Sequence, residues 1–267
     1  MFTFRRFTLI FFLMLFSLNL WMILSGKSTG GFFHDHANLI YGLIAILYFG
    51  ISFAMAFLPC SNFHHPVICK GRTDGSSVAL TFDDGPDKLK TPLILATLDK
   101  YKVKATFFCI GRNISGNEHI LKKIHDSGHL IGNHSLSHSR WFDLFSASRI
   151  EAEVLASNKL IRQVTGQYPL FFRPPFGVVN PMVSKALKKT TLQAVCWNIR
   201  SFDTLNRNPE KVNHSILRQL RPGSIILLHD HTLFTEHRLD RLISDILVAG
   251  FHIVPLDNLL KLPAYEQ

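Results

Sequence analysis

Residues 77–86 read SVALTFDDGP, an apolar run that ends in two adjacent carboxylates and a Gly-Pro turn. Short apolar runs bounded by turn residues are typical of buried strands. Six further runs of this kind follow, at 105–110, 130–132, 170–173, 193–197, 224–228 and 251–254. Amphipathic stretches that predict helices lie at 89–101, 117–127, 146–165, 181–189, 209–220 and 236–249. This alternation indicates a parallel α/β fold, and seven strands suggest a barrel.

Polar side chains follow the ends of these predicted strands. They are Asp83 and Asp84, Asn133 and His134, Arg173, Asp203, and His229 with Asp230. In barrels of parallel strands, functional groups gather at the carboxyl ends of the strands and in the loops that follow. We therefore expect these residues, which are remote along the chain, to share one rim.

Two motifs predict a metal site. In TFDDGP, Asp83 and Asp84 have diverging side chains, so one can bind a cation while the other stays free as a base; a turn that caps the next helix is the structural alternative. In HSLSH, His134 and His138 are four positions apart, a spacing that puts both rings on one face of a helical turn. Two surface histidines are the alternative. With Asp84, these histidines form a set that holds zinc in hydrolases and iron in oxygenases.

Two further motifs supply an arginine and a histidine. RPPFG places Arg173 beside a rigid turn, where its guanidinium can pair with a carboxylate, although a surface arginine at a prolyl turn is common. The strand IILLHD ends at His229, which suits a general acid near neutral pH; a hydrogen-bonded histidine at the rim is the alternative.

Taken together and in this order, the four motifs resemble those of the polysaccharide deacetylase family, also called carbohydrate esterase family 4, over residues 76–260. The resemblance implies a distorted (β/α)7 barrel. It also implies that Asp84, His134 and His138 bind a divalent metal ion, commonly zinc. Asp83 would then be the general base, and Arg173 would hold it in place.

The remaining roles also follow from the resemblance. His229 would protonate the leaving amine, the Phe176 N–H would stabilise the oxyanion, and Leu227 would line the pocket for the acetyl methyl. One motif departs from the family pattern Asp-x-x-Asp-Trp, because Arg200 and Thr204 replace its first Asp and its Trp. Asp203 remains and can tune His229. Trp197 or Phe202 would fill the space left by the missing Trp, although core packing is the simpler interpretation of Trp197.

The amino-terminal part of the chain has two long apolar segments, at about 7–25 and 39–58. Each is long enough to cross roughly 30 Å of hydrocarbon as a helix. A cleaved signal peptide is the alternative for the first segment, but there is no clear A-x-A site. We expect a membrane anchor over 1–59, a linker over 60–75 and a catalytic domain over 76–267.

Two passes put the amino terminus and the catalytic domain on the same side of the membrane. Arg5 and Arg6 precede the first span and Lys70 and Arg72 follow the second, so the positive-inside rule favours a cytoplasmic domain, whereas the usual habit of the family favours the outside. A disulfide between Cys60 and Cys69 requires an oxidising compartment. The sequence therefore leaves open which side of the membrane the catalytic domain occupies.

The net charge of +10 suits an anionic partner such as an acidic lipid leaflet or a phosphate-bearing glycan carrier. The basic residues are scattered, and no nucleic acid is expected. The predicted function is removal of N-acetyl groups from an amino-sugar glycan that is part of the cell wall, exported or lipid-linked. The alternatives are a polysaccharide O-acetyl esterase, an iron-dependent oxygenase and a glycan-binding pseudoenzyme.

Overall fold

The structure is a computed structural model, and it describes residues 3–29, 35–72, 75–205 and 208–266. Two long helices come first, α1 (Phe4–Thr29) and α2 (Ala37–Ala56), and an α/β domain follows them. The strands of that domain are β1 (Val67–Ile68), β2 (Ser77–Asp83), β3 (Thr106–Cys109), β4 (Leu130–Asn133), β5 (Phe171–Phe172), β6 (Gln193–Val195), β7 (Ile199–Arg200), β8 (Ile225–His229) and β9 (His252–Ile253).

All the strand pairs are parallel, and the sheet has the order β1-β6-β5-β4-β3-β2-β8-β7, with β9 paired to β2. β2 lies at the centre, and its register matches Asp83 with His229 at the end of β8. The carboxyl ends of β2, β4, β5 and β8 therefore meet at one rim. This arrangement confirms the predicted distorted barrel.

Helices connect successive strands. They are α3 (Lys90–Lys100), α4 (Gly111–Ile114), α5 (Glu118–Asp126), α6 (Ala147–Thr165), α7 (Pro181–Leu187), α8 (Pro209–Gln219), α9 (Leu233–His237), α10 (Leu239–Val248) and α11 (Leu256–Leu260). Local sequence signals set several of their ends. The Ser146 hydroxyl accepts the Arg149 N–H at the start of α6, and Gly166, with φ of 75°, ends that helix. The Asn180 side chain caps α7 in the same way.

The structure differs from the sequence-based elements in three places. β1 and β7 were not predicted, because a strand of two residues shows no hydrophobic periodicity. The helix predicted over 236–249 is divided at Arg238 into α9 and α10. Finally, the linker predicted over 60–75 contains β1, which pairs with β6 and so belongs to the sheet.

The two amino-terminal helices form a hairpin whose apolar side chains are largely exposed. Tyr48 of α2 stacks on Phe7 of α1 at 5.1 Å, and its hydroxyl lies 2.9 Å from that of Thr8. Farther along, the Tyr41 hydroxyl donates to Asn19 at 2.8 Å. Both helices are long and apolar enough to cross a membrane, and only 6% of either apolar window is buried. Burial in a soluble core, a common explanation for such helices, does not apply to these two.

The end of the hairpin is joined directly to the barrel. Ala56, the last residue of α2, accepts a hydrogen bond from the Val179 N–H at 2.9 Å. The Phe4 N–H at the start of α1 donates to Phe63 O at 2.7 Å. Immediately after the hairpin, Cys60 and Cys69 form a disulfide with their Cα atoms 5.7 Å apart. The junction is therefore a packed and cross-linked segment.

Candidate active site

Asp84, His134 and His138 converge at the rim. We call these three candidate ligands of one metal ion the metal cluster. The Asp84 Oδ1 lies 3.6 Å from Nε2 of each histidine, and the three ligand atoms all lie within 4.8 Å of one another. Metal–ligand bonds of about 2.0–2.2 Å at a tetrahedral angle separate neighbouring ligands by roughly 3.4 Å. The spacing of these atoms therefore fits a divalent metal ion, and positions would remain for water and substrate.

His134 is held in the form that binds a metal. Its Nδ1 lies 2.7 Å from the Arg173 carbonyl oxygen, an acceptor, so Nδ1 carries the proton and Nε2 presents its lone pair to Asp84. Burial lowers the pKa of His134 to about 3, with His138 as a further cause, and the ring therefore stays neutral. A neutral imidazole with a fixed tautomer is the state required of a ligand.

The loop around the two histidines is not helical, so the predicted helical turn at HSLSH is wrong. Ser135 and His138 have φ of 64° and 44°, left-handed values that interrupt a helix. The rings still meet, with centroids 4.7 Å apart. Glu153 of α6 holds the loop by accepting hydrogen bonds from the N–H and hydroxyl of Ser137. Asp84 also has positive φ, of 75°, and such strained conformations cluster at functional sites.

Asp83 lies beside the metal cluster. Its Oδ1 accepts a hydrogen bond from Arg173 Nη1 at 2.7 Å, and its Oδ2 lies 3.7 Å from His134 Nε2. Arg173 is completely buried, and it also donates to the carbonyl oxygens of Val195 and Cys196. Burial raises the pKa of the Asp83 carboxyl, and the Arg173 guanidinium opposes that rise. Arg173 therefore orients a carboxylate that is a stronger base than usual.

His229 is paired with Asp203 on the β8 side of the rim. Its Nδ1 lies 2.8 Å from Asp203 Oδ1, and its backbone N–H donates to Oδ2 at 2.9 Å. Burial lowers the pKa of the His229 imidazole, but the hydrogen bond and charge of Asp203, together with the charges of Asp83 and Asp84, outweigh burial and raise it above its usual value. Ser201 and Thr232 also donate to Asp203. This pairing leaves His229 Nε2 free to transfer a proton.

The residues predicted to contact the acetyl group lie near this centre. Phe176 has φ of 57°, is half-exposed, and its ring lies 4.8 Å from that of His138. Leu227 and Trp197 are buried in one apolar cluster, in which Trp197 packs against Gly177. At the altered family motif, the Arg200 guanidinium lies 5.0 Å from the Phe202 ring, and Phe202 is half-exposed. The structure thus places Trp197 in the core and Phe202 at the surface.

Four site residues were not assigned a role from the sequence. The Asp230 carboxyl is fully buried and accepts a hydrogen bond from the Thr91 hydroxyl, and burial raises its pKa to about 8. The Asn113 amide donates to the Asp84 carbonyl oxygen at 2.7 Å, and His231 Nδ1 lies 3.7 Å from Asp84 Oδ2. The HDH sequence at 229–231 was a signal for His231. Thr91 and Asn113 lie outside any motif, so no signal in the sequence pointed to them.

A cavity of about 550 Å³ opens beside the metal cluster. Asp84, His138 and His231 form its inner wall, and Lys88 and Arg112 contribute positive charge. The loop at 113–117 contributes Asn113, Ser115 and Asn117 to its lining. The cavity is therefore a polar groove that leads to the cluster, as expected for a sugar site.

The residues fit a divalent cation by their own chemistry. Asp84 Oδ1 is buried and has no hydrogen-bond partner among the described residues, although it faces two imidazoles. A buried carboxylate oxygen without a donor is costly unless a cation binds it. Two nitrogen ligands and one oxygen ligand, with open positions, are typical of catalytic zinc.

Comparison with known proteins identifies relatives of this chain. A family model described as polysaccharide deacetylase matches residues 70–195. A peptidoglycan-N-acetylglucosamine deacetylase of Bacillus cereus is 33% identical over 189 residues, which cover 69% of this chain and 88% of that protein. A deacetylase of the same name from Listeria monocytogenes is 32% identical over 203 residues, 76% of this chain. The chain spans 42% of the length of that relative.

Solved structures of similar proteins share the fold. The Bc1960 peptidoglycan N-acetylglucosamine deacetylase superposes with a TM-score of 0.70 at 29% identity, over 75% of this chain and 95% of that chain. BA3943 of Bacillus anthracis, described as a pseudoenzyme of carbohydrate esterase family 4, superposes with a TM-score of 0.68 at 28% identity, over 73% and 68% of the two chains. The fold therefore occurs with and without catalysis, and the site residues must decide between the two.

Proposed function

The chain belongs to the polysaccharide deacetylase family, and from that premise we propose that it removes N-acetyl groups from the amino sugars of a glycan by metal-dependent hydrolysis. One observation carries the proposal. Asp83 lies between the buried guanidinium of Arg173 and the metal cluster, and its Oδ2 accepts no hydrogen bond from Arg173. A carboxylate oriented in this way and placed 3.7 Å from a metal ligand suits a general base.

Asp84, His134 and His138 would hold the metal, and we propose zinc from the ligand set. A bound divalent ion lowers the pKa of a water molecule and polarises the acetamide carbonyl group. A carboxylate can then deprotonate this water, although it is too weak a base to deprotonate bulk water. Arg173 keeps this carboxylate ionised and fixed in direction.

The other site residues would act on the water, the leaving amine and the acetyl group. Asp83 takes a proton from water, whose oxygen forms a bond to the acetyl carbon. His229 donates a proton from Nε2 to the amide nitrogen as the C–N bond breaks, and acetate and a free amine result. The Phe176 N–H would stabilise the oxyanion, and Leu227 and Trp197 would enclose the methyl group. Asp203 keeps His229 protonated at a higher pH than burial alone would permit.

The alternative functions make different predictions. An O-acetyl esterase releases acetate without a new amine, and an iron-dependent oxygenase requires oxygen. A pseudoenzyme lacks part of the machinery, whereas here the positions assigned to the metal, the base and the acid are all occupied, and Arg200 and Thr204 are the departures from the family pattern. Hydrolysis uses Asp83 and the His229–Asp203 pair, and oxygenation assigns no task to either.

The first experiment uses the full chain purified in detergent and loaded with Zn²⁺. N-acetylchitotetraose and peptidoglycan are supplied under anaerobic conditions, and acetate and free amine are both measured. We expect the two products in equal amounts. Acetate without amine would favour the esterase, and no acetate from either substrate would contradict the proposed function.

Substitutions then test the individual roles. Asp83→Asn should retain Zn²⁺ and lose about 10²–10⁴-fold in rate, the range typical of general-base catalysis. Asp84→Ala should lose both Zn²⁺ and activity. Asp99→Asn, at an exposed position on α3, is the matched control and should change neither. Full activity of Asp83→Asn protein would show that another group is the base.

We also propose that residues 1–59 anchor the protein in a membrane, that residues 60–75 connect the anchor to the catalytic domain over 76–267, and that this domain faces the extracytoplasmic side. The disulfide between Cys60 and Cys69 supports this side, since disulfides persist in oxidising compartments and rarely in the cytosol. The positive-inside rule favours the opposite side from a few charges near the spans. We give the disulfide more weight, because the arginines are few and the two Cα atoms lie at the distance usual for a disulfide.

A further inference from the structure

The junction between the helical hairpin and the barrel places the metal site close to the membrane surface. We infer that the substrate is an amino sugar carried by a lipid of the same membrane, with the sugar just outside the headgroups. This inference rests on the proposed function and adds the substrate class. It depends on three observations: the short path from α2 to the site, an apolar patch along that path, and nearby basic residues.

The path from the membrane to the site is short. Ala56 O at the end of α2 binds the Val179 N–H at 2.9 Å, and Val179 is three residues from Phe176. Three residues span at most about 11 Å. The Phe176 ring lies 4.8 Å from the His138 ring. Even with the Phe176 side chain fully extended, the metal cluster lies within about 25 Å of the end of the span.

The junction also prevents the barrel from moving away from the membrane. The Phe4 N–H binds Phe63 O, so both ends of the hairpin hold the connecting segment. His64 Nε2 lies 3.0 Å from the carbonyl oxygen of Ser52 in α2, and Ser184 of α7 donates to His64 O at 2.7 Å. The Cys60–Cys69 disulfide closes the same segment. A polymer far from the bilayer therefore lies beyond the reach of the site.

Five exposed apolar side chains lie on segments that hydrogen bonds connect to the end of α2. We call them the interfacial patch, and they are Phe57, Leu58, Trp141, Leu144 and Met182. Asn180 connects its parts, because its side chain donates to Asp143 O at 2.6 Å and it directly follows Val179. Leu144 is 76% exposed and Trp141 56%. Aliphatic and tryptophan side chains continuous with a membrane span are typical of residues that enter the headgroup region.

Basic side chains flank the interfacial patch. Arg140 lies 5.3 Å from the Trp141 ring, and Lys185 and Lys188 are exposed on or just after α7, beside Met182. Lysine and arginine near a membrane surface are attracted to anionic headgroups and to lipid phosphates. The apolar and basic residues together fit a membrane that contains anionic lipid. A lipid-linked sugar carries its phosphate at that depth, and its sugar lies next to it.

The experiment reconstitutes the full chain with Zn²⁺ in vesicles of phosphatidylethanolamine and phosphatidylglycerol. N-acetylglucosamine linked to a polyprenol by pyrophosphate is placed in the same vesicles, or in separate vesicles, and N-acetylchitotetraose is supplied in solution. Acetate release is measured at equal total sugar concentration. We expect release from the lipid-linked sugar in the same vesicles to be at least 10-fold faster than from either other arrangement.

A pair of matched variants tests the interfacial patch. Leu144→Glu with Met182→Glu should reduce release from the lipid-linked sugar at least 5-fold and leave release from N-acetylchitotetraose unchanged. Leu247→Glu with Val248→Glu introduces the same charges at exposed aliphatic positions at the end of α10, and should change neither rate.

The outcomes separate this inference from the proposed function. Equal rates for the lipid-linked and soluble sugars, or an unchanged ratio in the Leu144/Met182 variant, would overturn the inference while acetate release upholds deacetylation. No acetate from any of the sugars would overturn the proposed function, and the inference would fall with it.

Discussion

At the scale of single residues, we expect Asp203 to set the pH range in which His229, the proposed general acid, is protonated. Asp203→Asn removes the hydrogen-bonded charge that raises the His229 pKa most, so the pKa falls. A general acid must be protonated, and the basic limb of kcat/KM against pH should therefore move to lower pH. Activity at pH 8 should fall about 10-fold or more, within the range for acid–base catalysis. The pH profile on N-acetylchitotetraose checks this.

A neighbouring substitution separates charge from packing in that test. Ser201→Ala removes one hydrogen bond to Asp203 but keeps its carboxylate. We expect its basic limb to coincide with that of the unmodified protein. If Asp203→Asn lowers activity equally at every pH, Asp203 supports the structure of the loop and does not tune His229.

Asp230 is the second residue whose charge has a measurable consequence. Its pKa of about 8 exceeds the ordinary value for an aspartate, so the folded protein binds a proton that the unfolded chain releases above about pH 4. The stabilisation that this proton provides is fully present below pH 4 and is lost as the pH rises from 4 to 8. Asp230→Asn removes this dependence on pH. The stability of the variant should therefore rise relative to the unmodified protein by at most about 1.4 kcal/mol per pH unit between pH 4 and 8.

Thermal unfolding of the chelated full chain in detergent, followed from pH 4 to 9, measures the difference. Asp230→Ala is the control, since it also removes the titrating carboxyl but leaves the Thr91 hydroxyl without this acceptor, and it should be about 1–3 kcal/mol less stable than Asp230→Asn at every pH. Parallel curves for Asp230→Asn and the unmodified protein would show that the carboxyl is ionised in the folded state.

The sequence was a good guide to residues that belong to motifs. Asp84, His134 and His138 converge as predicted, because register and strand order bring the ends of β2 and β4 together. His231 and Asn113 were missed, since their contacts with Asp84 depend on loop geometry that no spacing specifies. The helical turn predicted at HSLSH failed for a related reason. Glu153, which holds that loop, lies on α6 and is remote in sequence.

At the scale of an element, the RPPFG turn after β5 contacts Asp83 and His134 through Arg173 and His138 through Phe176, and so connects the proposed base with the proposed metal ligands. Gly177 has φ of 71°, and a Cβ there would lie 2.7 Å from the Trp197 ring. Gly177→Ala should therefore displace Trp197 or the turn that carries Phe176. We expect a loss of about 2–4 kcal/mol in stability, from backbone strain and overpacking together, and a fall in kcat. Thermal unfolding and acetate release measure the two effects.

Gly166 provides a control that isolates the backbone. Its φ is 75°, almost that of Gly177, but nothing lies within 4 Å of the position of a Cβ. Gly166→Ala should cost only the strain of about 1 kcal/mol and leave kcat unchanged. Equal effects of both substitutions would mean that contact with Trp197 is unimportant.

Elements with strong periodicity were predictable, and those made by tertiary contact were not. The long amphipathic pattern of α6, with its serine cap and terminal glycine, gave both ends of that helix. β1 is only two residues long, and it forms because β6 offers an edge for pairing. Its position inside the predicted linker could not be read from local composition.

At the scale of the whole molecule, two apolar segments and a barrel were predictable from composition and alternation. Their contact was not, because Ala56 and Val179 are far apart in the chain and meet through one backbone hydrogen bond. In the proposed membrane arrangement, that contact determines how far the site can reach from the bilayer. The Cys60–Cys69 disulfide lies at the same place, and it depends on the side of the membrane that the barrel occupies.

The disulfide tests the whole arrangement. In spheroplasts of an expressing bacterium, an impermeant maleimide should label Cys60 and Cys69 only after treatment with an impermeant reductant. Cys109 and Cys196 are buried and should stay unlabelled in the folded protein. Labelling without reductant, and only after the membrane is permeabilised, would place free thiols in the cytosol. A cytosolic barrel would leave the proposed deacetylation unaffected, but the proposed lipid-linked sugar would then have to belong to the inner leaflet.

The same bond should stabilise the junction. It closes a loop of about ten residues, for which chain entropy gives roughly 2–3 kcal/mol. The double substitution Cys60→Ser with Cys69→Ser should therefore lower the thermal midpoint in detergent, and Cys109→Ser provides a comparison at a cysteine outside the disulfide. In vesicles, the loosened junction should slow release from the lipid-linked sugar and spare release from N-acetylchitotetraose. If both rates fall together, the disulfide supports the catalytic barrel itself, because a junction that only sets distance from the bilayer has no effect on a substrate in solution.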